Sequence, residues 1–155
     1  MSRNATPAAA LASTPDELET RFYEALQRGD IDLLMSLWGD DDEVMCVHPG
    51  GPRVVGLNAI RASFTAIFAN GGIPVQPEQV HRLNWLGGAV HHLVERITVN
   101  TDQGEQTAWV LSTNVFVKGP QGWRLVAHHA SPAALTVPSA SMPAALGGGL
   151  PSALH

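Results

Sequence analysis

The sequence predicts an α+β fold in which a curved antiparallel sheet is covered on one face by three short helices. Three observations carry that expectation. Up to about residue 70 apolar residues recur at helical spacing, interrupted by one strand-like run. From about residue 75 the pattern changes to long stretches of strand character, and these stretches are separated only by short Gly-containing turns, so neighbours pair as hairpins.

The elements follow in order. Thr14-Pro15-Asp16-Glu17 is a capping box with proline at the first helical position, so a helix starts there. Leu18, Phe22, Ala25 and Leu26 share its apolar face, and Gly29 ends it. Asp30 caps a second helix whose Ile31, Leu34, Leu37 and Trp38 face the core before Gly39. After the acidic turn 40–43, Val44, Cys46 and His48 alternate with Met45 and Val47, the period of a strand. Gly56-Leu57-Asn58 opens a third helix with Ile60, Phe64, Ile67 and Phe68 as its stripe, closed by Asn70-Gly71-Gly72. Four strands then span about 75–86, 89–100, 105–118 and 122–131, and strands this long twist until one face is concave. One domain at 14–131 is expected, preceded by a flexible N-terminus at 1–13 and followed by an Ala/Pro/Gly-rich tail at 132–155.

A chain of 155 residues buries about 68–70% of its unfolded surface, enough for one core and a cavity. Nine Lys and Arg against 14 Asp and Glu give a net charge of −5 with no basic cluster, which argues against a nucleic-acid partner. No apolar run approaches the roughly 20 residues needed to cross a bilayer, and the Ala-rich start reads as a cytoplasmic N-terminus. The single cysteine, Cys46, lies within the apolar strand, where a buried thiol of a reducing compartment is expected rather than a nucleophile.

The residues around Asp40-Asp41-Asp42-Glu43-Val44-Met45-Cys46-Val47-His48-Pro49-Gly50-Gly51 deliver an imidazole to the end of a strand. Pro49 disfavours helical backbone at His48, and the glycines supply a tight turn, so the ring is held where an acid or base would be useful. The competing reading is structural, with His48 capping the strand and bonding the turn backbone. Trp38 and Trp109 are candidates for an apolar wall against a flat ligand, and equally for core or dimer interface. Because they differ in parity along the fourth strand, Trp109 and Asn114 face one cavity only if a bulge intervenes. Arg53 is a candidate for pairing an anionic ligand at the mouth, against the commoner case of an exposed arginine beside an acidic turn. His91-His92 and His128-His129 are adjacent pairs on strands, so one member of each faces inward. With His48 they could offer three nitrogens to a metal, but neither spacing nor a carboxylate supports one, and neither metal nor cofactor is expected.

Over about residues 13–132 the chain resembles the nuclear transport factor 2-like superfamily, and within it the SnoaL-like, ketosteroid isomerase-like branch. The resemblance lies in the Arg28-Gly29-Asp30 helix junction, the Trp38-to-Asp42 helix end, the strand closing on His48-Pro49, the Gly56 helix start and the final Gly122-Trp123-Arg124-Leu125-Val126-Ala127-His128-His129-Ala130-Ser131. It implies a cone-shaped α+β barrel of cystatin-like fold, a homodimer formed through the sheet, and a hydrophobic pocket for a small apolar or carbonyl-containing ligand. It also implies that His48 stands where ketosteroid isomerases keep a general base, and that Asn114 and His129 lie near the pocket. Where those enzymes use a tyrosine of the first helix this chain is expected to have Phe22, and for their protonated aspartate it has Thr113 or Asn114. Each lost oxyanion donor costs about 2.7–4 kcal/mol, so steroid isomerisation is not expected. The expected function is therefore an isomerase, dehydratase or cyclase using His48 as acid or base, with Asn114 and His129 orienting a carbonyl or hydroxyl. The alternative is a non-catalytic ligand-binding or dimeric assembly module of the same fold.

Overall fold

A computed structural model of the chain describes residues 14–133. The expected N-terminal segment 1–13 and nearly all of the expected tail lie outside the described residues. Helix α1 (Pro15–Arg28) is capped by Thr14, whose hydroxyl accepts from Glu17 N at 3.1 Å, and ends at Gly29 with φ of 67°. Asp30 at once caps α2 (Ile31–Ser36) by accepting from Leu33 N at 3.0 Å. Strands β1 (Met45–Val47) and β2 (Arg53–Val55) form a short hairpin, and α3 (Leu57–Ile67) follows. After a 3-10 turn at Phe68–Asn70 comes a meander of β3 (Val75–Trp85), β4 (Gly88–Thr101), β5 (Gly104–Gly119) and β6 (Gly122–Pro132).

The six strands run in the order β2-β1-β6-β5-β4-β3. Two features correct the expectation of a curved antiparallel sheet. The turn after His48 returns as strand β2, and β1 lies parallel to β6, so the sheet is mixed. Parallel pairing follows from the route of the chain, because β1 and β6 are joined by α3 and the whole meander rather than by a turn.

Helix α1 lies against the inner face of the meander. Leu18, Phe22, Ala25 and Leu26 are buried with Leu93, Val110, Phe116 and Leu125 of the strands, while Leu34, Ile60 and Phe64 bring α2 and α3 into the same core. Burying each large apolar side chain contributes roughly 1.5–3 kcal/mol, and this shared core holds the helices on one side of the sheet.

Two irregularities decide which side chains face that core. In β3, Gln79 and Val80 together oppose the single residue Leu93, and Gln79 adopts φ of 54°. In β6, Val115 pairs with Ala127 but Phe116 pairs with Leu125, leaving Val126 as an extra residue. The pairing of β4 with β5 runs without a break from Gly88 opposite Val117 to Thr101 opposite Gly104.

Candidate functional site

The strand registers align Arg82 with His91, His91 with Asn114, Asn114 with His128, and His128 with Cys46. Residues directly paired across strands share a face, so these five side chains form one row across the inner surface. His91, Asn114, His128 and Cys46 are all completely buried. Helix α1 lays Asp16, Glu19 and Tyr23 over the row at spacings of three and four residues, one stripe of the helix.

Burying so many polar groups is tolerable only if they satisfy one another. The Asn114 amide donates to Glu19 Oε2 at 2.9 Å and to Tyr23 Oη at 3.3 Å, while its Oδ1 faces His128 Nδ1 at 2.6 Å. Because that amide oxygen only accepts, His128 carries a proton on Nδ1. Tyr23 Oη donates to Glu95 Oε2 at 2.8 Å, and His128 Nε2 lies 4.0 Å from the same oxygen. His91 Nδ1 stands 3.0 Å from Glu19 Oε1, out of line for a hydrogen bond, and its Nε2 is 3.8 Å from Asp16 Oδ1. Burial, and next the Glu95 charge, hold the Tyr23 phenol well above its ordinary range, so it remains a proton donor. The same two causes push the Cys46 thiol up to about 12, which makes it an inert part of the core.

Glu19 and Tyr23, with Asp16, Thr20, Pro77 and Arg82, line a cavity of about 370 Å³ between α1 and β3. Val80 of the β3 bulge is also in its wall, so the irregular edge strand opens beside the buried cluster. Arg82 Nε donates to Asp16 Oδ1 at 2.7 Å across the mouth. A larger concavity of about 610 Å³ lies between the end of α2 and the β5–β6 hairpin, and a third near Asn58 measures about 460 Å³. Among the described residues no group of three His, Cys, Asp or Glu side chains is arranged to hold a metal ion.

The residues expected from sequence divide between three places. Asn114 is at the centre of the cluster. His129 is exposed, and its neighbour His128 takes the inward position. The cause is the extra residue in β6: a regular strand continuing inward from Leu125 would aim residues 127 and 129 at the core, and the bulge at Val126 transfers that facing to 128 and 130. Trp109 lies on the opposite face from Asn114, since no bulge separates them on β5, and does not line a cavity with it.

His48 is half-buried beside α3, with Nε2 3.0 Å from Ser63 Oγ, 3.9 Å from Cys46 Sγ, and its ring edge-on to Phe64 at 4.7 Å. The Ser63 hydroxyl donates to Ile60 O at 2.8 Å, so His48 Nε2–H donates to Ser63 rather than activating it. Neither His48 nor Asn114 lines any of the three cavities. Trp38 is 4% exposed, packs in the core and touches the concavity of about 610 Å³, and Arg53 is exposed on β2 outside all three.

Glu19, Tyr23 and Glu95 belong to no motif of the sequence, and the pairs His91-His92 and His128-His129 do not by themselves say which member faces inward. Their signal was parity. His91 and Glu95 alternate with Ala89, Leu93 and Ile97 on the buried face of β4, and Glu19 falls beside Leu18 and Phe22 on the buried face of α1. The first helix does supply a phenol, from Tyr23 rather than from the expected position of Phe22.

A mixed, helix-covered sheet enclosing a polar cluster defines a class of small α+β domain, and the comparisons give its family. Residues 16–135 match the SnoaL-like domain model, and the chain belongs to that family. A candidate dehydratase of the nuclear transport factor 2-like family from Streptomyces avermitilis is 34% identical, with TM-score 0.66, over 77% of this chain and 98% of its own. A candidate calcium/calmodulin-dependent protein kinase type II association domain from Thiobacillus denitrificans is 32% identical, with TM-score 0.70, over 77% and 95%. A nuclear transport factor 2-like protein of cystatin-like fold from Novosphingobium aromaticivorans shares the fold at 17% identity, with TM-score 0.63, over 84% of each chain. No curated protein matches the chain. No helix among the described residues is long and apolar enough to cross a membrane.

Proposed function

We propose that this SnoaL-like domain binds a small carbonyl or hydroxyl compound in the cavity between α1 and β3 and moves a proton on it, as an isomerase or dehydratase does. The observation that carries the reading is the contact of Tyr23 with Glu95, because it joins a cavity-lining phenol to a fully buried carboxylate. The phenol, too weak an acid to give up its proton, meets a ligand oxygen as a hydrogen-bond donor. When it turns to the ligand, Glu95 Oε2 is released as a proton acceptor, with His128 close enough to share its charge. Asn114 acts as a positioning residue, holding Tyr23 and His128 in register. The likeness to a candidate dehydratase supports the reaction class.

The test is solvent deuterium exchange at the α-carbon of cyclohexanone and dehydration of 4-hydroxybutan-2-one, both followed by NMR. Exchange or dehydration that falls at least 100-fold in Glu95→Gln and Tyr23→Phe, but persists in His48→Ala, supports this assignment. Loss in His48→Ala with retention in Glu95→Gln would return the acid–base role to His48, and no turnover with either compound by the wild-type chain would end the catalytic reading.

A second reading, assembly, is favoured by the outer face of the sheet. Trp109, Leu111 and Val115 are half-buried there and Val117 is exposed, an apolar surface suited to a homodimer through the sheet. The relative described as an association domain supports it. Sedimentation of the wild type as a dimer, and of Leu111→Glu as a folded monomer, is the expected result; a wild-type monomer at micromolar concentration would exclude it.

A further inference from the structure

We propose that the outer face of the sheet carries a site for a divalent transition-metal ion, held by His81 of β3 and His92 of β4. The pair lies on the face opposite the core, so binding there depends on neither reading above.

The registers place His81 opposite His92, His92 opposite Thr113, and Thr113 opposite His129. This row is next to the buried one, so its side chains point away from the core. His81 and His92 are both exposed, and among the described residues neither ring is engaged by a hydrogen bond or ion pair. Directly opposed residues on one face hold their Cβ atoms about 4.5–5.5 Å apart. Two imidazoles so placed can converge on one ion at the usual ~2.0–2.1 Å from each nitrogen.

The bulge in β3 is what makes the pair. Glu78 faces outward opposite Val94, and Gln79 and Val80 then oppose one residue together. Without that extra residue the alternation set by Glu78 would turn Arg82 outward and His81 towards the core. From His81 to Trp85 the ladder to β4 runs without a break, which fixes the two histidines side by side. The Glu78 carboxylate accepts from Arg96 Nε at 2.7 Å, so the arginine on this face is already balanced and does not repel a cation at the pair.

Only two protein ligands are present, consistent with the absence of any group of three His, Cys, Asp or Glu arranged for a metal among the described residues. Strand β3 is at the edge of the sheet, and water or an external ligand completes the ion's shell from its open side. Imidazole selects copper, nickel or zinc over magnesium and calcium, which take oxygen ligands. His129 stands two strand spacings from His92, roughly 9–10 Å, and does not share the ion.

The test is equilibrium dialysis of the full chain, first stripped with EDTA, against zinc chloride, with the imidazole resonances followed by NMR. One saturable equivalent is expected, with shifts at the rings of His81 and His92 and none at His129. His81→Ala and His92→Ala should each weaken binding at least tenfold, and His129→Ala should leave it unchanged. These are exposed positions; if an alanine variant fails to fold, His81→Gln and His92→Gln carry the same expectation. Copper chloride should bind more tightly than zinc chloride, and magnesium chloride should not compete. No saturable zinc binding, binding that survives the loss of either histidine, or equal weakening in His129→Ala would overturn the proposal.

Discussion

Tyr23 of α1 donates to Glu95 of β4 across 2.8 Å, joining two residues 72 positions apart at the point where the first helix crosses the sheet. The bond is buried on both sides, so it fixes the roll of the helix as well as pairing two polar groups. Removing the phenol by Tyr23→Phe leaves a buried carboxylate oxygen without that donor. A loss of about 1–3 kcal/mol in urea-induced unfolding is expected. A double-mutant cycle with Glu95→Gln should return a coupling of at least about 0.5 kcal/mol; additivity would show that the contact does not hold the helix.

Asn114 ties three elements together, since it bonds Glu19 and Tyr23 of α1 while meeting His128 of β6. Asn114→Leu keeps the volume and removes every one of these bonds. The expected cost is about 2–4 kcal/mol, larger than for Tyr23→Phe, because several buried polar groups lose a partner at once. Equal midpoints for Asn114→Leu and wild type would contradict the network.

The Cys46 thiol is held up to about 12 by burial and by Glu95, against an ordinary 9.0. Between those values the unfolded chain has released a proton that the folded chain keeps. The associated stability is present in full below pH 9 and declines as pH rises through the window, by at most about 1.4 kcal/mol per pH unit. Tyr23, raised for the same reasons, adds a decline of the same sign above pH 10. Unfolding free energies measured from pH 7.5 to 10.5 should therefore fall, and Cys46→Val should flatten the lower part of the curve. A slope unchanged by that substitution would count against the buried thiol.

Gly72 packs against the end of α1, where a Cβ would overlap the Gln27 carbonyl and crowd Gly29 N. Gly119, at the β5–β6 turn, has nothing within 4 Å of the corresponding position. Gly72→Ala is expected to cost about 2 kcal/mol or more and Gly119→Ala less than about 0.5, compared by thermal melting. Similar melting temperatures for the two variants would mean that the chain after α3 shifts freely.

Much of this architecture was legible from local chemistry. Thr14, Gly29 and Asp30 mark their helix ends because caps act on neighbouring backbone groups, and the turns at Gly87, Gly104 and Gly122 need glycine because each takes a positive φ. Asn114 was reachable by resemblance. His128 was not separable from His129, because one extra residue at Val126 reverses the facing of everything after it. Tyr23 was obscured by its neighbour Phe22, as both are buried aromatics one position apart on α1.

By itself the sequence determined the three helix starts and the four long strands, the acidic charge and the apolar interior, since these depend on residues within a turn or two of one another. The tertiary structure alone decided that β1 lies beside β6 and that Arg82, His91, Asn114, His128 and Cys46 stand in one row beneath Asp16, Glu19 and Tyr23. Register and bulges are set by how whole strands pack against a helix, and a shift of one residue exchanges the buried face for the exposed one.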